Sequence, residues 1–298
     1  EDEGVRHVYV SENDNVPYRL TNIPSDEDSP SLSPNGKRIA FISDRTGSDT
    51  VFIIDKSGEN LLQIYEGTGV ATNPRWSPDG NIVAFQVTTE NRKTHIHISN
   101  TSDPNPHRLT SGQLNEGPPS WSPDGKWIAF SLSYRGQGKG LFLRNPGGVN
   151  QITLTEGPDS MPEWSPDSSS IAFQSSKNGE YDIYVIDLND DFTGLTRRIT
   201  TNLSPDVQPN WSPDGQQIAF ISERDNNPEI YVTTTDGTVL TRLTKNEAVE
   251  EEITWSKHGQ IAFVSHLHGN PDIFIMDSDG TAQAQVTTSV VPDTQPDW

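Results

Sequence analysis

Seven histidines are the first residues to test for metal or acid–base chemistry: His7, His95, His97, His107, His258, His266 and His268. On an extended strand a His-x-His pair puts two imidazoles on one face, an arrangement that metal sites use. His95 and His97 form one such pair, and His266 and His268 form another. The first pair falls in a strand and the second in a loop several units away, so they read as separate polar surface histidines rather than one site. Asp277-x-Asp279-Gly280 and the acidic run Asp187 to Asp191 have the composition of Ca2+ loops. The first lacks the downstream acidic ligand, and Asp-Gly is ordinary hairpin chemistry. The sequence contains no Gly-x-Ser-x-Gly, His-Glu-x-x-His or phosphate-loop motif. With no Cys there is no thiolate nucleophile, disulfide or iron–sulfur ligand. No catalytic residue and no resident cofactor are assigned.

One set of carboxylates stands apart. Glu27, Glu116, Asp159, Asp206, Glu250 and Asp293 share one step of a recurring unit, and only Ala71 breaks the series. Acids are 42 of 298 residues, so six of seven in register is far above background. Asp28 and Glu251 add charge one residue later.

The unit that positions them is a repeat. Trp-Ser-Pro-Asp-Gly stands at Trp76, Trp121 and Trp211, with variants at Trp164, Trp255 and Leu32, and Trp298 opens a seventh copy. The spacings are 44, 45, 43, 47, 44 and 43 residues. Within each unit a short strand ends in Trp and a Pro-Asp-Gly turn follows. A second strand reads like Ile218-Ala219-Phe220, and a polar loop often carries Ser-x-Arg. A third strand reads like Glu229-Ile230-Tyr231-Val232, and a fourth ends in Arg-Leu-Thr or a relative of it. Short strands, frequent turns and no helical period predict an all-β chain. Four strands in 40–45 residues make one β-propeller blade. The Trp, Phe and third-strand aromatic positions are expected to form the core between blades.

Trp-Ser-Pro-Asp-Gly-x-x-Ile-Ala-Phe, then Ser-x-Arg, then Asp-Ile-Tyr-Val, resembles the repeat of TolB-like β-propellers across essentially the whole chain. That resemblance implies a non-enzymatic scaffold of the bacterial envelope, periplasmic or extracellular. It also implies binding of partner proteins at the mouth of the central channel, the peptidoglycan-associated lipoprotein among them. Family members carry an α/β domain before the propeller. No such segment lies in these 298 residues, so a propeller from another, larger polypeptide is expected. The alternatives are a propeller belonging to a carbohydrate-active or peptidase-type enzyme, and a purely structural repeat module.

The units run at about 26–69, 70–114, 115–157, 158–204, 205–248 and 249–291, in one domain spanning 1–298. Residues 1–25 and 292–298 are parts of a closing blade. Tyr9 stands where a third-strand aromatic belongs and Trp298 ends a first strand. The expected ring therefore has seven blades, one of them composite, with its second strand absent or supplied from outside the chain. Six blades is the alternative count.

Hydrophobic residues make up only 31%, but seven Trp argue against disorder. No apolar run is long enough to span a membrane, so no membrane insertion is expected. A net charge of −21 disfavours nucleic acid as a partner. The loops before the innermost strands ring one mouth of a propeller channel, which places the recurring carboxylates there. Two readings follow. The acids bind a protein or basic peptide, or a divalent cation such as Ca2+, at that mouth. Alternatively they accept local amide hydrogen bonds, or pair with the loop cations Arg45, Arg135, Lys177 and Arg224.

Overall fold

The Ser-Pro-Asp-Gly turn that punctuates the sequence satisfies its own polar groups. At Ser212 the hydroxyl donates to Asp214 Oδ1 at 2.6 Å and accepts from the Gln217 amide at 2.9 Å. The Gln216 amide also donates to Asp214 Oδ1, and Gly215 takes φ 70°. These bonds hold the Asp214 carboxyl below its ordinary range, the Ser212 hydroxyl contributing most. Ser77 and Asp79 repeat the arrangement. Each turn therefore delivers the chain from a first strand into a second with fixed register.

The computed structural model describes residues 5–12 and 16–298. Six antiparallel sheets follow one another along the chain, each the size of one repeat. In blade 5 the strands are Asp206–Trp211, Gln217–Ser222, Glu229–Thr234 and Leu240–Arg242, paired in that order. The first strands of blades 1, 2, 4 and 6 are Glu27–Leu32, Val70–Trp76, Asp159–Trp164 and Glu250–Trp255. In blade 3 the first strand is split into Asn115–Glu116 and Ser120–Trp121. No helix occurs among the described residues, and none is long and apolar enough to cross a membrane.

The split has a local cause. Every other inner strand bulges, and its register shifts around a residue in the left-handed region. These residues are Ser29, Asn73, Met161, Gln208 and Glu252, with φ between 51° and 55°. Blade 3 has Pro118 at that step, and its ring fixes φ near −65°. It cannot form the bulge, so the strand breaks instead.

The core lies between blades. Phe41, Phe85, Phe130, Phe173, Phe220 and Phe263, all from second strands, are fully buried. Most stack on the third-strand aromatic opposite, as Phe220 does on Tyr231 at 5.9 Å and Phe173 on Tyr184 at 5.7 Å. The repeated Trp does more than fill space. Its indole N–H donates to a carbonyl of the preceding inner strand: Trp76 to Ser31, Trp121 to Arg75, Trp164 to Ser120, Trp211 to Glu163 and Trp255 to Asn210, at 2.9–3.2 Å. Five blade junctions are thereby pinned next to the channel.

Six complete blades are formed, the alternative count, rather than seven. The strands Tyr9–Val10 and Tyr18–Arg19 pair only with each other, and 292–298 carry no strand. A first strand and a third strand cannot pair directly in this ladder, because the second strand lies between them in every complete blade. Without it the terminal pieces cannot join into one sheet. The hairpin packs Val8, Val10 and Leu20 against Phe41 and Phe52 of blade 1.

Candidate functional site

The recurring carboxylates open the inner strands, and their backbone explains where they point. The amide of Asp206 donates to the Tyr181 carbonyl, and that of Glu250 to the Pro228 carbonyl. Glu27 and Asp293 bond likewise to Arg6 and Pro271. Tyr181, Pro228 and Pro271 immediately precede a third strand of the neighbouring blade, and Arg6 lies three residues before the hairpin strand Tyr9–Val10. The carboxylates are thus drawn under that blade, and Glu27, Glu116, Asp159, Asp206 and Glu250 are buried. Buried carboxylates cannot touch a partner at the mouth. Only Asp28, Glu251 and Asp293 of the expected binding set are half-exposed.

What surrounds the buried acids differs from joint to joint: Asp159 has no ion pair among the described residues and an unpartnered Oδ1, with Gly140 and Thr153 at the steps that Asp182 and Arg198 hold in blade 4. Between blades 4 and 5, Asp206 takes two 3.0 Å bonds from Arg224 and Asp182 pairs with Arg198 at 2.7 Å. Glu27 takes Arg45 at 2.5 Å, with His7 at 3.6 Å. Glu116 accepts from the Thr110 hydroxyl and the Ile96 amide and faces His95, which also meets Arg108. Where the repeat has Ala71 instead of an acid, the third strand begins with Thr50, and Gln63 replaces the arginine. Two of the four expected loop cations, Arg45 and Arg224, make the carboxylate pair. Arg45 and Arg224 also lie over the rings of Phe52 and Tyr231, while Lys177 and Arg135 lie over Tyr184 and Tyr134.

The joint between blades 5 and 6 is one cation short. Glu229 has Arg242 at 2.7 Å, but Glu250 has the neutral partners Asn246 and Ser265 and no arginine, because Leu267 stands where blade 5 has Arg224. Burial, with a smaller push from Glu229, raises the Glu250 carboxyl to about 7 from 4.5. An acid with a raised folded pKa destabilises the fold when ionised. Stability is therefore highest below about pH 4.5 for this group and falls as pH rises through about 7. Glu250→Gln is expected to raise stability at pH 8 by roughly 2–3 kcal/mol and to flatten the slope between pH 5 and 7. Urea titrations across that range check it, and an unchanged slope would contradict it.

The channel itself is polar. One step before each Trp, the inner strands place Arg75, Ser120, Glu163, Asn210 and Thr254, and Asp297 holds the same step beyond blade 6. Glu163 is raised to about 7 by desolvation, opposed by Arg75 and by a bond from the Ser120 hydroxyl. Asp297 is also raised by desolvation, although it accepts from the Leu32 amide at 2.5 Å and feels Arg75. The sequence pattern that marked the outer acids gave no sign of these, because this step carries Ser, Arg, Ser, Glu, Asn, Thr and Asp in turn and no residue type recurs through it.

At the seam between blades 6 and 1 the exposed acids converge. Glu252 sits on its strand's bulge and is raised by burial first and then by the negative charges of Glu251 and Asp28. Its Oε2 accepts from the Gln295 amide, and Gln295 accepts from Ser29. Arg6 binds Asp26 and Asp28. His266 lies 2.9 Å from Glu251.

The histidines stay apart. Among the described residues no three His, Asp or Glu side chains come together in a metal-holding group. His97 is stacked on Phe85 and held to about 4 by burial, hence neutral. With His107, Arg108 and Tyr65 it lines an open groove of about 550 Å³. Asp279 accepts from both the amide and hydroxyl of Thr281 in its hairpin, and Asp187 pairs with Arg197.

This architecture matches known proteins. The family model described as the TolB beta propeller domain matches residues 1–156 and 119–266. A protein TolB homolog of Chlorobaculum tepidum is 34% identical over 65 residues, which is 22% of this chain and 15% of that protein. The match thus spans only a small part of the relative's length. The crystal structure of TolB from Acinetobacter baumannii superposes with a TM-score of 0.68 at 22% identity, covering 88% of this chain and 66% of that one. Oligogalacturonate lyase from Vibrio parahaemolyticus gives 0.72 at 12% identity, covering 94% and 86%. At these identities the structures speak to the fold alone.

Proposed function

The chain belongs to the TolB β-propeller domain family, and from that premise we propose that it is a non-enzymatic protein-interaction module of the bacterial envelope. Its binding face is the channel mouth at the seam of blades 6 and 1. Asp28, Glu251, Glu252 and Asp293 form the recognition surface for a basic, extended segment of a partner protein. The buried carboxylates act beneath it as struts between blades.

The observation that carries this reading is a surplus of negative charge at the mouth, where Asp26, Asp28, Glu251 and Glu252 are met by Arg6 and His266. Glu252 is pushed up partly by Glu251 and Asp28. Asp49 is raised by burial and then by Asp44, with Asp28 and Asp26 adding and Arg6 opposing. Elsewhere Glu27 and Asp206 are balanced by Arg45 and Arg224. Here the surplus faces solvent, where it draws cationic groups by a long-range field. Such binding weakens with salt, since the Debye length is only ~8 Å at physiological ionic strength. Calorimetric titration of an arginine-rich peptide should therefore show binding at low salt that is lost at high salt. Salt-independent binding would point to an apolar site instead. A Ca2+ ion would use the same carboxylates, and heat from CaCl2 that competes with the peptide would support that occupant.

A further inference from the structure

In every blade a short loop carries the second strand into the third, and its turn needs a residue in the left-handed region. Blades 1, 4 and 6 put Gly47, Gly179 and Gly269 there and blade 5 puts Asn226, each amide closing onto the carbonyl three residues earlier. Glycine and asparagine take this backbone at least cost. Blade 2 closes the same turn with Arg92, at φ 58°, onto the Thr89 carbonyl at 2.8 Å. Blade 3 has a two-residue turn in which Tyr134 pairs with Gln137, and Arg135 takes φ 51° ahead of Gly136. Asn, Asp or Gly is the usual residue at that step. Two neighbouring hairpins thus carry arginine where the turn favours a smaller side chain, and backbone cost of this kind collects at functional positions.

The charges gather around one exposed ring. Tyr134 is 42% exposed. Lys93 Nζ lies 5.6 Å from its centroid and the Arg135 guanidinium 5.3 Å. Lys93 comes from blade 2 and Arg135 from blade 3, so the ring bridges the two hairpins and its quadrupole offsets the repulsion between the cations. Arg92, Arg135 and Lys139 are exposed. None of these four cations has an ion pair among the described residues, whereas Arg45, Arg198, Arg224 and Arg242 all pair with acids. Glu90 is the one acid in the two loops, 89–93 and 134–139. In a chain of net charge −21, four unpaired cations on adjacent hairpins are a local reversal of sign.

We propose that the paired hairpins of blades 2 and 3 are a docking surface for an extended acidic segment of a partner protein. An extended chain puts alternate side chains on one side about 7 Å apart, so successive carboxylates can meet Lys93 and Arg135 across the ring. Guanidinium forks take a carboxylate in two parallel bonds. The patch offers cations rather than a bare aromatic face, which favours a peptide over a glycan that stacks its sugar rings. Second strands end opposite the residues that begin the inner strands, as Ser222 does opposite Asp206 and Ser43 opposite Glu27. These hairpins therefore open on the face that is acidic at the seam, and that face carries both signs of charge. The inference does not rest on the reading of the acidic mouth, from which it differs in sign and in blade.

The probe is a fluorescently labelled octaglutamate peptide, followed by anisotropy in about 0.1 M salt, where a Debye length of ~10 Å screens the distant acids more than the cluster. The unaltered chain should bind it, and affinity should fall as salt rises. Arg92→Gly/Arg135→Asn installs the residues that these turns favour. That variant should melt at the same temperature or higher, because the backbone cost is relieved. It should bind octaglutamate at least about tenfold more weakly, while an arginine-rich peptide binds it as it binds the unaltered chain. Lys93→Gln/Lys139→Gln leaves both left-handed residues in place and should also weaken octaglutamate binding. No binding to the unaltered chain overturns the proposal, as does equal affinity in both double variants. A lower Tm in Arg92→Gly/Arg135→Asn would make the arginines structural and overturn it too. Displacement of octaglutamate by polygalacturonate at a lower carboxylate concentration would make the surface a glycan site and reject the peptide.

Discussion

Phe220→Ala is expected to lower the unfolding free energy by about 3–5 kcal/mol, the range for a buried aromatic whose loss leaves a cavity. The side chain is fully buried and stacks on Tyr231, and the Arg224 guanidinium lies over both rings. Around it pack Ile183, Val185 and Trp211 from two blades. Their positions are fixed by ladder hydrogen bonds and by the Trp211 indole, so the site cannot collapse to fill the void. The loss is also transmitted, because Arg224 is the cation that neutralises Asp206. Urea unfolding followed by tryptophan fluorescence reads the change. A loss below about 1 kcal/mol would mean that the blades do not meet through this residue.

Asp206→Ala should destabilise by a similar amount, about 3–5 kcal/mol, because it strands a charge rather than removing an apolar contact. Asp206 is buried, takes both bonds of Arg224, and also accepts from Asn202. Without the acid the guanidinium is held by Ser222 and the aromatic rings alone. The double variant Asp206→Ala/Arg224→Leu should recover part of the loss, since it leaves neither charge unpaired. Its behaviour contrasts with Glu250, whose neutralisation is expected to stabilise because no arginine faces it. The opposite signs at two equivalent steps of one repeat distinguish a strut from an unbalanced acid. Equal signs in denaturant titrations at pH 8 would contradict the joint-by-joint account.

Much of this molecule is legible in its repeat. Trp-Ser-Pro-Asp-Gly marks a self-satisfied turn, and Ile-Ala-Phe marks the buried second strand, because both are local. The carboxylate at Asp206 and its equivalents was also visible as a periodicity. Its burial was not, because the sequence gives the step along the strand and not the neighbouring blade that closes over it. A partial signal for the joints did exist: Ala71 coincides with Thr50 and Gln63, whereas Glu116, Asp206 and Glu250 coincide with His95 and Arg108, Asp182 and Arg198, and Glu229 and Arg242. Reading it requires knowing that a third strand meets the next first strand. The left-handed bulge had no shared chemistry to reveal it, since Ser, Asn, Met, Gln and Glu all occupy it. Glu252, one of those bulge residues, joined the mouth only when the bulge turned it there. The seven-blade count expected a composite blade whose second strand is absent or supplied from outside; the described residues form six complete blades, and the hairpin and residues 292–298 do not pair into a seventh sheet.

The most direct test of the account is a calorimetric titration of one arginine-rich peptide, at low salt, into three proteins: the unaltered chain, Asp28→Asn/Glu251→Gln/Asp293→Asn, and Glu116→Gln. The account predicts that the triple variant loses affinity by roughly tenfold or more through lost charge complementarity while keeping its stability. It predicts that Glu116→Gln binds like the unaltered chain but melts earlier, because Glu116 is a buried strut between blades 2 and 3. Unchanged affinity in the triple variant, or lost affinity in Glu116→Gln while it remains folded, would contradict it.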